Sequence, residues 1–186
     1  MLRDVFRGRG MVGFDSFEGM PAGDVDAYWD WSAGSYNAGD VREELTGLVE
    51  RWGQVQFVKG FFSESLTSTL PNELSLKPAV FIDIDCDLYT STLQALDFMF
   101  KHGLARVGTL LGYDDWWELP CCHNTSNVFQ GGEARAHLEI AHKYGIRFLC
   151  LSGPCVYPRG GPFGKCSIYN TWAPVFIVQE VGSANI

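Results

Sequence analysis

Ala79-Val80-Phe81-Ile82-Asp83-Ile84-Asp85-Cys86-Asp87 is the stretch on which the reading of this chain turns. From Ala79 to Asp85 it is apolar nearly throughout, which predicts a central strand buried on both faces. Leu93, Leu96, Met99 and Phe100 recur at helical spacing just after it, and Gly103 stops that helix. Arg106–Tyr113 then reads as a second strand, and it runs straight into Asp114-Asp115. Strand, helix and strand in this order form the repeating unit of a parallel α/β sheet.

The same alternation extends in both directions. On the N-terminal side Met11–Asp15 and Val55–Lys59 read as strands. Between them, Asp40 with Glu43 makes a capping-box pattern, and Val41, Leu45, Leu48, Val49 and Trp52 line one face of a helix that Gly53 would stop. On the C-terminal side Glu133–Tyr144 reads as a helix stopped by Gly145, followed by a strand over Ile146–Leu151. A Pro- and Gly-rich loop runs from Gly153 to Gly164. The last strand, Pro174–Val181, follows a long stretch with no clear helix, so it is expected to pair antiparallel with Ile146–Leu151. No repeat or low-complexity linker divides the chain, and residues 1–186 are read as a single domain.

Composition narrows the function. The chain has 186 residues, 46% hydrophobic and 19% charged, which fits one core-bearing domain and argues against disorder. A formal net charge of −8 repels phosphate backbones, so nucleic acid is not an expected partner. No apolar run approaches membrane-spanning length, so no membrane partner is expected either. Arg3, Arg7 and Arg9 lack an apolar segment after them, so no secretory signal is read, and a cytoplasmic location with six reduced cysteines follows. Six Trp suggest an aromatic-lined cleft as well as a core.

Ligands of open α/β sheets bind at the carboxyl ends of strands. Here those ends are acidic: Asp15 on the first, Asp83, Asp85 and Asp87 on the third, Asp114 and Asp115 on the fourth. A lone Asp at a strand end is usually a helix cap or a loop hydrogen-bonder. Two acidic strand ends side by side repel one another and invite a counter-ion, and hard oxygen donors suit Mg2+. Asp83 lies deeper along the strand and is read as structural, and Asp87 as orienting the helix start.

At these residues a resemblance appears. Gly13-Phe14-Asp15-Ser16-Phe17-Glu18-Gly19-Met20-Pro21, Val58-Lys59-Gly60-Phe61-Phe62, Asp85-Cys86-Asp87-Leu88-Tyr89-Thr90-Ser91-Thr92 and Tyr113-Asp114-Asp115-Trp116 resemble, in order, four segments of the macrocin O-methyltransferase (TylF/MycF) family. The resemblance implies a Rossmann-like class I methyltransferase fold, a three-layer α/β sandwich with a mostly parallel sheet and a C-terminal antiparallel hairpin. It implies methyl transfer from S-adenosylmethionine to a hydroxyl of a small molecule such as a sugar. It places Mg2+ on Asp85, Asp114 and Asp115, with Asp85 also accepting the hydroxyl proton. It places Asp15, Ser16, Gly60 and Phe61 against the cofactor, Asp15 at the ribose hydroxyls. His123, just past the acidic turn, is a candidate for proton removal, against the plainer reading of a surface loop residue. Tyr28, Trp29, Trp31 and Tyr36 are expected to form a lid over the acceptor.

The chain also departs from that family. Its Gly-rich first strand is not found before Met11, so an N-terminally truncated domain is expected, with the strands ending in Asp15 and Asp85 either flanking a gap or pairing directly. Two rival readings follow. A methyltransferase-like domain without catalysis could serve as a binding module. Alternatively Phe81-Ile82-Asp83-Ile84-Asp85 resembles the start of haloacid-dehalogenase-type phosphatases, with Asp83 as nucleophile and Asp85 as general acid, although Asp87 stands where Thr or Val is usual. Oligomeric state stays open, a homodimer being one option.

Overall fold

Strand ends in this chain are fixed by turn chemistry as much as by apolar patterning. The structure, a computed structural model, describes residues 10–23, 31–49, 55–116, 132–153 and 174–182. The chain divides into two compact units, one of residues 1–23 and 27–67, the other of residues 24–26 and 68–186.

In the first unit β1 (Met11–Asp15) and β2 (Val55–Lys59) pair in parallel, from Met11 opposite Val55 to Asp15 opposite Lys59. Both strands have the limits expected of them. Gly13 lies opposite Phe57, and a Cβ there would come within 2.8 Å of the Phe57 ring. The helix α1 (Arg42–Val49) begins at Arg42 rather than at Asp40. The Asp40 carboxylate instead accepts hydrogen bonds from Arg42 Nε at 2.7 Å and Nη2 at 2.8 Å, and this pairing holds its pKa well below the usual range. Leu48, expected on the packed face, is 59% exposed, whereas Val41 and Leu45 are half-buried. Trp52, Gly53 and the Val49 side chain lie outside the described residues. A short helix, α2 (Phe62–Ser65), follows β2.

Trp31 corrects the lid expectation. It is 4% exposed and belongs to the core of this unit, while Tyr36 is 71% exposed. Tyr28 and Trp29 lie outside the described residues.

The second unit begins with α3 (Leu70–Glu73) and continues through β3 (Phe81–Ile84), α4 (Tyr89–Lys101), β4 (Leu110–Tyr113), α5 (Gly132–Tyr144), β5 (Arg147–Ser152) and β6 (Val175–Glu180). Its sheet has the order β3-β4-β6-β5. β3 and β4 are parallel, β6 is antiparallel to both β4 and β5, and the expected C-terminal hairpin is present. Among the described residues the sheet of the first unit has two strands, β1 and β2. α4 packs on α5, and Leu96, Phe100, Ile140 and Tyr144 join Ile82, Ile84, Leu111, Phe176 and Val178 in one apolar cluster. Each such side chain contributes about 1.5–3 kcal/mol on burial. Gly103 and Gly145 end the two helices in the left-handed conformation, at φ 64° and 59°.

β3 and β4 are shorter than their apolar runs. Within β3 only Ile82 and Ile84 are buried, and Phe81 and Asp83 face outward, so burial on both faces does not hold. Arg106–Thr109 is a turn: Gly108 has φ 91°, and the Thr109 hydroxyl accepts the Arg106 N–H at 3.1 Å and donates to the Ala79 carbonyl at 2.9 Å. Cys150 is disulfide-bonded, against the expectation of six reduced thiols, and Cys86 is free. No helix among the described residues is long and apolar enough to cross a membrane.

Candidate metal centre

The parallel ladder between β3 and β4 places Ile84 opposite Tyr113, and the Asp114 N–H donates to the Ile84 carbonyl at 3.0 Å. The next residue on each side is therefore acidic, and the two strand ends carry their carboxylates to one place. One oxygen each from Asp85, Asp114 and Asp115 lies within 4.8 Å of the others. Asp85 and Asp114 are exposed and Asp115 is half-buried, which leaves open coordination positions for water or a substrate oxygen. Carboxylate oxygens at this spacing fit a hard divalent cation such as Mg2+.

Beyond Asp85 the chain reverses sharply. Asp87 has φ 56°, and the Leu88 N–H donates to the Cys86 carbonyl at 2.5 Å, which swings the chain from β3 into α4. This turn brings the Asp87 side chain into a hydrogen bond with Asp115. Burial, that hydrogen bond, and the charges of Asp87, Asp114 and Asp85 together push the Asp115 carboxyl up to about 8. Partial desolvation and the Asp114 charge also raise Asp83, which stands on the outward face of β3 opposite Gly112. A Cβ at Gly112 would lie 3.0 Å from Phe81 Cζ and 3.4 Å from Asp83 Oδ1, so the glycine makes room for both side chains.

One participant had no signature in the sequence. Glu133, in the first turn of α5, is completely buried, and its oxygens accept the N–H of Cys86 at 3.3 Å and of Asp115 at 3.1 Å. Burial and the Asp115 charge raise its pKa well above the usual carboxylate value. A Glu in a first helical turn reads as a partner for the helix dipole, and its contacts lie on strand ends far away in sequence. Tyr113 and His137 are a second buried pair, with Tyr113 Oη 2.8 Å from His137 Nδ1. Burial alone lowers the His137 pKa to about 3 and keeps the ring neutral. Phe148 and Phe176 flank that ring at centroid distances of 4.1 and 4.6 Å, so it belongs to the packing of the unit.

The expected cofactor residues gather at the carboxyl end of β1 and β2. The Gly60 N–H donates to the Asp15 carbonyl at 3.0 Å, and Phe61 precedes α2. Asp15 Oδ1 accepts the Phe17 N–H, which turns the chain, with Phe17 at φ 55°. Ser16 Oγ donates to the Gly19 carbonyl at 2.8 Å and accepts the Glu18 N–H at 3.0 Å. Each of these side chains has a local structural task, and Asp15 is exposed beside that turn. His123 lies outside the described residues.

The family model of the macrocin-O-methyltransferases (TylF) matches residues 3–138. Among curated proteins no match was found. Among solved structures, the O-methyltransferase NovP is similar with a TM-score of 0.60 at 19% identity, over 96% of this chain and 66% of that one. CalS11, a calicheamicin methyltransferase, gives a TM-score of 0.58 at 20% identity, over 91% of this chain and 60% of that one. An O-methyltransferase from Bacillus cereus in complex with SAH gives 0.53 at 17% identity, over 96% and 79%. The chain thus spans under two thirds of the length of the first two. These likenesses establish a Rossmann-like α/β methyltransferase fold.

Proposed function

The chain belongs to the macrocin-O-methyltransferase (TylF) family, and from that premise we propose that it methylates a hydroxyl of a small molecule, with Mg2+ on Asp85, Asp114 and Asp115. The observation that carries this reading is the convergence of those carboxylate oxygens within 4.8 Å at the ends of two adjacent parallel strands. S-adenosylmethionine supplies the methyl group. Bound Mg2+ would lower the pKa of a coordinated hydroxyl. Asp85, Asp114 and Asp115 would hold the ion, and a carboxylate oxygen of Asp85, just past the end of β3, would accept the hydroxyl proton. Asp15 meets the cofactor ribose, and Ser16, Gly60 and Phe61 complete that contact. A sugar hydroxyl is the acceptor class this reading favours. Family membership leaves the phosphatase reading of Asp83 without support.

Calorimetry with Mg2+ and S-adenosylmethionine, followed by transfer of labelled methyl to sugar acceptors, tests the proposal. Asp85→Ala is expected to abolish Mg2+ binding, and a variant that binds normally refutes the ligand assignment. Mg2+ binding without S-adenosylmethionine binding would point to a binding module instead of an enzyme.

A further inference from the structure

Nothing in the proposed chemistry uses Glu133, yet its carboxylate is fully buried beside the acidic cluster. Oε1 accepts the Cys86 N–H and Oε2 accepts the Asp115 N–H. Cys86 directly follows Asp85, and Asp115 is itself in the triad. The last ladder hydrogen bond between these strand ends runs from the Asp114 N–H to the Ile84 carbonyl. Beyond that bond the clustered carboxylates repel one another. Glu133, held on a third element, bridges the two chains just beyond that bond.

The residue type suits the task. An apolar side chain would strand two backbone N–H donors, at a cost of about 1–3 kcal/mol each when buried. A glutamine offers one oxygen and turns an NH2 group toward the second donor. A carboxylate alone presents an acceptor to each.

We infer that Glu133 is a positioning residue for the cation site: its grip on the Cys86 and Asp115 N–H groups sets the spacing of the Asp85 and Asp115 carboxylates that a divalent ion requires. This rests on the reading of the triad as a Mg2+ site.

The test is calorimetric titration of Mg2+ into wild type, Glu133→Gln and Glu133→Asp, with folding of each metal-free protein checked by circular dichroism. Glu133→Gln breaks one arm of the bridge and keeps the shape, and its Mg2+ Kd is expected to rise at least about tenfold, as for other outer-shell partners. Its affinity for S-adenosylmethionine should not change. Glu133→Asp keeps the carboxyl group but falls short of one donor, and a several-fold loss is expected; it carries the test if the Gln variant does not fold. A purely structural role would lower the melting temperature and leave the Mg2+ affinity of the folded protein at the wild-type value, and that result overturns the inference. A wild type that binds no Mg2+ removes the site reading and this inference together. A wild type that binds, with variants that bind equally well, removes only this inference.

Discussion

Asp115 keeps its proton up to about pH 8, first because it is partly buried and then because Asp87, Asp114 and Asp85 surround it. A carboxyl raised in the folded state holds a proton that the unfolded chain has already released. The native state therefore binds more protons between about pH 4 and pH 8, and stability falls as pH rises through that window. Denaturant titrations of the metal-free protein are expected to show that decline, and Asp115→Asn to flatten it. Mg2+ competes with the same proton, so its affinity should be at least about tenfold higher at pH 8.5 than at pH 6; equal affinities would contradict the assignment. Thr92 offers a separate test. It is fully buried, and its hydroxyl has no hydrogen-bond partner among the described residues. Thr92→Val, nearly the same shape, is expected to raise stability by about 1 kcal/mol, measured by denaturant midpoint.

At the scale of elements, the turns decided where the sequence could be read. β1 and β2 were legible to the residue, because Asp15 and Gly60 are recognisable stops for them. The limits of β3 and β4 were not, because apolar residues continue through the Arg106–Thr109 turn, whose geometry depends on the Thr109 hydroxyl reaching Ala79. The clustering of Asp85, Asp114 and Asp115 was legible as a motif, since strand ends deliver these carboxylates in a fixed order. Glu133 was not, since no local pattern marks a side chain whose partners sit on two other elements. Likewise Trp31 could not be separated from the exposed Tyr36 of the same loop by composition. That loop is fastened to the turn after β1: Met20 N–H donates to the Ser35 carbonyl at 3.0 Å, and Gly34 N–H to the Met20 carbonyl at 2.9 Å. Gly19 sits at φ 81°, and a Cβ on it would fall 2.3 Å from the Ser35 carbonyl oxygen. Gly19→Ala combines backbone strain with a backbone clash and is expected to destabilise the first unit by more than about 2 kcal/mol. A wild-type melting curve would show that the two loop segments part without cost.

Across the whole molecule, sheet order sets a hierarchy of stability. In the second unit β4 and β6 are interior, and β3 and β5 are edges among the described strands. Native-state hydrogen exchange is expected to be slowest at Leu111 in β4 and Val178 in β6, and faster along β5, where most residues are exposed. The same order has a consequence for synthesis on the ribosome. Leu110–Tyr113 emerges able to pair at once with β3, but its other ladder belongs to β6. That strand is translated only after α5 and β5, so for the whole interval the nascent chain carries an apolar, unpaired edge right next to the Asp114 and Asp115 carboxylates. Vectorial synthesis therefore leaves this site unfinished longest and gives chaperones, or a neighbouring nascent chain, their best opportunity there.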